Sequence, residues 1–104
     1  MRVRAAFCLA SLACSAALAA TPVVVNQLRR AFSVRELHIH RGETVRFTNT
    51  DEFLHQIFVD AKTFKFSSKE QAPGESVDIA FTASGTFDVR CEIHPKMLLS
   101  VTVD

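Results

Sequence analysis

The chain of 104 residues contains no tryptophan and no tyrosine, and only three glycines, three prolines and three cysteines. The glycines, Gly42, Gly74 and Gly85, stand far apart. No Gly-rich loop can therefore cradle a phosphate, which argues against a nucleotide-dependent enzyme. Charge of one sign is also lacking. The formal net charge is +1, too small for a nucleic-acid binder held by bulk electrostatics. No repeat, no low-complexity segment and no linker breaks the chain, and its length allows one ordinary domain.

The one long apolar run lies at the start. Arg2 and Arg4 precede an Ala- and Leu-rich stretch from Ala5 to about Leu18, and Ala17-Leu18-Ala19 fits a small-x-small cleavage site. Residues 1–20 read as an export signal cut after Ala19 or Ala20. The run is short for a membrane span, so no span is expected after cleavage. Removing 20 residues leaves 84, with 10 basic and 11 acidic side chains and a net charge of −1. Cys8 and Cys14 leave with the signal. The exported protein, expected in the periplasm, keeps Cys91 alone.

A lone cysteine in an oxidising compartment cannot close an internal disulfide. It pairs with another chain, stays buried and inert, or binds a metal. A second cysteine, needed for covalent haem attachment, is missing. A thiol protease would need a substrate cleft that so small a domain does not offer.

From residue 22 onward the pattern has period two. Val45 and Phe47, then Val77, Ile79 and Phe81, then Leu99, Val101 and Val103 alternate with polar neighbours. Leu37 and Ile39 point one way, His38 and His40 the other. About seven short strands, separated by turns such as Arg41-Gly42-Glu43 and Pro73-Gly74, predict an all-β Greek-key sandwich over residues 22–104. The stretch from Lys69 to Gly74 could hold one helical turn. Asp51-Glu52 and Arg29-Arg30 read as solvated charge pairs. Phe64 and Phe66 cover one end of the core or form a docking patch. His38 and His40 read as outward-facing, with a weak second metal site as the alternative.

Cys91, His94 and Met97 stand in the order Cys-x2-His-x2-Met, with Pro95 after the histidine and His55 thirty-six residues upstream. A thiolate, two imidazoles and a thioether suit copper cycling between Cu(I) and Cu(II). Three donors on a short loop and one on rigid sheet, at the start of a strand from His55 to Val59, would give a nearly fixed geometry.

The segment Phe87-Asp88-Val89-Arg90-Cys91-Glu92-Ile93-His94-Pro95-Lys96-Met97 resembles the ligand loop of the small cupredoxins, the type 1 (blue) copper proteins. Gly42 to Asn49, followed by His55, resembles that family's approach to its first histidine ligand. The resemblance implies one type 1 copper ion, with His55, Cys91 and His94 as trigonal ligands and Met97 as the weak axial one. It also implies that the outer edge of His94 reaches the surface as the electron port.

The chain would then be no enzyme. It would be a monomeric periplasmic carrier of single electrons between redox proteins, such as a c-type cytochrome and a periplasmic dehydrogenase. The same ligands would serve a copper-binding or delivery protein without fast electron transfer. Two positions depart from the family: Gln56 stands where Asn is common, and Lys96 where an apolar residue is common.

Overall fold

A computed structural model describes residues 21–104. The expected signal segment, residues 1–20, lies outside the described residues. Nine strands follow in order: β1 (Val23–Leu28), β2 (Ala31–Phe32), β3 (Glu36–Ile39), β4 (Thr44–Asn49), β5 (Ile57–Asp60), β6 (Lys65–Ser67), β7 (Ser76–Ala80), β8 (Gly85–Cys91) and β9 (Leu98–Val103). They form two sheets, ordered β2-β1-β4-β7 and β3-β9-β8-β5-β6.

The alternation in sequence is the alternation in space. Val45 and Phe47 of β4, Val89 and Cys91 of β8, and Leu99, Val101 and Val103 of β9 are all buried, while their neighbours face outward or stay partly exposed. Successive strand residues point to opposite faces, so one face of each sheet supplies the shared core. Phe47 and Phe81 are fully enclosed, each contributing roughly 2–3 kcal/mol by leaving water. Phe64 lies over Phe81 and Phe87, with centroids 5.1 and 5.6 Å away. It closes one end of the core, as the first of its two sequence readings has it. Phe66 is half-buried against the same cluster.

The register brings one set of strand ends together. β1 runs parallel to β4, so Leu28 and Asn49 finish at the same end. β8 reaches that end at Cys91, opposite Ile57 at the start of β5. β9 starts there too, with Leu98 opposite Arg90. β3 runs parallel to β9 and begins beside it. His55, Cys91, His94 and Met97 therefore belong to one end of the sandwich.

Two expectations need correction. Lys69–Gly74 carries no helical turn. Gln71 instead pairs with His55 in an isolated antiparallel bridge, and a turn follows at Pro73-Gly74. Among the described residues the strands number nine rather than about seven, because β2 and β6 are edge segments of two and three residues. So short a segment shows too little alternation to register as a strand in the sequence.

Candidate metal centre

The site is built on three pieces of backbone. Cys91 is the last residue of β8 and is buried. The chain then turns sharply, the Met97 N–H donating to the His94 carbonyl at 2.9 Å. His55 sits just before β5, held on both backbone polar groups by Gln71: the His55 N–H donates to the Gln71 carbonyl at 3.1 Å, and the Gln71 N–H to the His55 carbonyl at 2.7 Å. The side chain of His55 is completely enclosed, whereas His94 is only half-buried.

Three donor atoms converge. Cys91 Sγ lies 3.6 Å from His55 Nδ1 and 3.9 Å from His94 Nδ1, and the two Nδ1 atoms are 3.2 Å apart. A point equidistant from all three lies about 2.1 Å from each, the length of a metal–imidazole bond. Among the described residues this is the one cluster of three such side chains close enough to share an ion. Met97 is buried in the core at the end of the same loop.

A buried carboxylate orients the first histidine. His55 Nε2 lies 3.0 Å from Asp51 Oδ2. Burial pushes the Asp51 carboxyl up. The Arg30 N–H at 2.8 Å, the His55 ring and the Glu52 N–H at 2.9 Å outweigh that and bring it down to about 2. An ionised carboxylate only accepts hydrogen bonds, so Nε2 carries the proton and Nδ1 keeps its lone pair for the cluster. This is the arrangement by which metal-binding histidines are fixed in tautomer and ring orientation. Asp51 is thus buried, against the expectation of a solvated pair. Its signal in the sequence is a carboxylate four residues before His55, inside a turn-rich loop.

Behind His55 lies a polar layer that the sequence reading missed. Gln27 Nε2 donates to Gln71 Oε1 at 3.0 Å, and Gln71 Nε2 to the Phe47 carbonyl at 3.1 Å. Asn49 Nδ2 donates to the carbonyls of Phe53 and Gln71, and Asn49 Oδ1 accepts from the Asp51 N–H. These bonds pin the loop that carries Asp51 and His55.

Gln56 links the two ligand segments through its backbone. Its N–H donates to Cys91 Sγ at 3.3 Å, and its carbonyl accepts from the Glu92 N–H at 3.0 Å. The longer side chain goes elsewhere, Nε2 donating to the Ser68 carbonyl at 3.0 Å. The departure from Asn therefore moves the side-chain tie without removing the link between segments.

The chemistry of this donor set fits copper, and the comparisons with known proteins agree. Residues 19–104 match the family described as copper binding proteins, plastocyanin/azurin family. The chain belongs to that family. Amicyanin from Paracoccus denitrificans is 29 % identical over 89 residues, which cover 79 % of this chain and 65 % of that protein. The chain thus spans a little under two thirds of that relative's length. A reduced variant of amicyanin superposes with a TM-score of 0.76 at 26 % identity, over 86 % of this chain and 88 % of the other. The copper-containing nitrite reductase of Thermus scotoductus gives a TM-score of 0.77 at 30 % identity, over 84 % of this chain but only 23 % of its own. This cupredoxin is therefore similar to one part of that larger protein.

The sequence named His55, Cys91 and His94, and the fold brings all three together. The same end of the sandwich also carries what the motif could not display. Phe53 meets the His94 ring edge-on at 6.0 Å, and the Arg30 guanidinium lies 4.0 Å above Phe53. Burial, the His55 ring and the Arg30 charge together hold the His94 ring below the usual imidazole range, against a smaller upward pull from Asp51. His38 and His40 join no such cluster. His38 Nε2 lies 2.5 Å from Asp104 Oδ2 on the outer face, and His40 is exposed. Among the described residues no helix is long and apolar enough to cross a membrane.

Proposed function

We propose that the protein is a periplasmic carrier of single electrons, exported by its first twenty residues, whose copper would be held by His55, Cys91 and His94 and, more weakly, by Met97. Copper there supplies one-electron exchange between Cu(I) and Cu(II). The convergence of Cys91 Sγ and the two Nδ1 atoms, 3.2–3.9 Å apart, carries this reading.

The chain's own part is positioning. Asp51 holds the His55 ring, the Gln56 N–H supports the Cys91 sulfur, and the Gln71 bridge fixes the His55 backbone. A centre held this firmly changes little in shape between oxidation states, and a small rearrangement favours fast transfer. His94 alone of the three reaches the surface, so electrons pass along its ring to a redox protein such as a c-type cytochrome or a dehydrogenase. The domain acts as a carrier and not as an enzyme, working as a monomer.

Cys91→Ser tests the assignment. The copper-loaded protein is expected to show an intense visible band that this substitution abolishes, with copper retained weakly at most. An unchanged spectrum refutes the ligand role. A copper-delivery role uses the same donors and is separated by voltammetry. A reversible wave with rapid self-exchange supports the carrier, and its absence supports delivery.

A further inference from the structure

The surface around His94 differs in sign from the rest of the molecule. Residues 21–104 carry a net charge of −1. Yet Arg29, Arg30 and Lys96, with Ile93 and Pro95, line an open depression of about 440 Å³ against His94. Arg35, just before β3, shares a neighbouring hollow with Lys96 and Leu98, where Glu36 is the one acidic lining residue against two cations. Among the described residues none of these four cations takes part in an ion pair, whereas Arg46, Arg90 and Lys65 each do. Their charge is left to act outward. Acidic Glu92 lines a separate hollow with Phe58 and Lys65.

The backbone adds an independent observation. Arg29 and Arg30 are the two central residues of the β1–β2 hairpin, and both have positive φ, 54° and 55°. Such turns favour Asn-Gly, because a side chain there costs about 1–2 kcal/mol per residue. Strain of this kind concentrates at functional sites. Here it sets two guanidinium-bearing residues at the rim of His94.

We propose that this basic rim is a docking surface for an acidic redox protein, one whose own electron port is ringed by carboxylates. The inference rests on the carrier reading and adds the partner's chemistry to it. Ile93 and Leu98, 39 % and 43 % exposed, give the apolar contact close to the port. The surrounding cations steer and orient the encounter, a task that sets rate and partner choice more than affinity.

The test follows oxidation of the copper-loaded Cu(I) protein by stopped flow. Two one-electron oxidants are used, the anion hexacyanoferrate(III) and the cation tris(phenanthroline)cobalt(III). In each case one electron leaves copper and reduces the oxidant's metal from the +3 to the +2 state. The anion's rate is expected to fall by about tenfold between low and high salt, with the cation's rate flat or rising. Arg29→Glu with Lys96→Glu should reverse both slopes. Arg41→Glu with Lys62→Glu, the same charge change at the opposite end, should leave the signs as they were.

An acidic c-type cytochrome should likewise outpace a basic one in the unaltered protein and lose that lead in the Arg29/Lys96 variant. Equal slopes for the two oxidants, or equal effects of the two double variants, overturn the docking surface while leaving the carrier intact. No reaction with either oxidant overturns the carrier reading and the docking surface with it.

Discussion

At the scale of single residues, Asp51 ties the first histidine to the backbone around it. It accepts from the backbone of Arg30 and Glu52 and from the His55 ring, while its own side chain is 4 % exposed. Its carboxyl titrates near 2 in the folded protein against about 3.9 in an unfolded chain. The lower folded value means that ionised Asp51 stabilises the fold. That contribution is complete above about pH 5 and is lost as pH falls toward 2. The urea midpoint of the copper-free protein should therefore drop across this window, and Asp51→Asn should flatten the drop. An equally steep profile in the variant would show that Asp51 is not the titrating group. The same substitution should weaken copper binding by about 10–100-fold, the usual cost of removing a carboxylate that orients a metal-binding histidine; competition with a chelator reads this directly. The candidate ligands were legible in sequence because Cys91, His94 and Met97 crowd into seven residues, with only His55 remote. Asp51 was not. A carboxylate in a turn-rich loop is ordinarily solvated, and the Arg30 amide that helps bury it lies 21 positions away.

At the scale of elements, the β1–β2 hairpin couples a strained turn to His94. The Arg30 N–H reaches Asp51, and its guanidinium covers Phe53, which in turn meets His94. Arg29→Asn combined with Arg30→Gly keeps the amide donor and relieves both positive-φ positions. The cation–π contact, worth about 0.5–1 kcal/mol at an exposed site, is lost. Relief of two strained residues exceeds that, so net stability should rise by about 1 kcal/mol, read as a higher urea midpoint. A lower midpoint would mean that the guanidinium contacts outweigh the backbone strain. A gain in stability together with a weaker preference for anionic oxidants is the trade expected when strain serves function. The long strands β4, β8 and β9 announced themselves, since each alternates over six or seven residues with one face in the core. The hairpin did not, because Arg-Arg is a poor match to any turn preference. Nor did the layer of Gln27, Asn49 and Gln71. Amides carry no periodic signature, and their partners lie up to 44 positions apart. Sequence pattern reveals the faces of strands; which polar loop residues meet beneath a site depends on how the sheets close over one another.

At the scale of the whole molecule, copper binds a scaffold whose donors are already held by the rest of the chain. Cys91 ends a strand paired on both sides, by β5 and β9. His55 is locked through backbone and ring, and the core of sixteen buried apolar residues runs the length of both sheets. This contrasts with small metal domains that unfold without their ion because no core exists apart from it. Chelating copper should leave the β-sheet far-ultraviolet signal and a cooperative thermal transition in place. The ion should still raise stability by mass action, by about 4 kcal/mol when free copper exceeds its dissociation constant a thousandfold. For a domain of this size each kcal/mol moves the midpoint by roughly 4–8 °C, so the holo-protein should melt roughly 15–30 °C above the copper-free form. His94 should contribute to that gap with little effect on the copper-free midpoint, because it is half-buried and its side chain lies outside the core cluster. His94→Ala should therefore shrink the holo–apo difference and leave the apo midpoint within a few degrees. Loss of the cooperative transition on chelation would mean that the ion, and not the sandwich, holds the port end together.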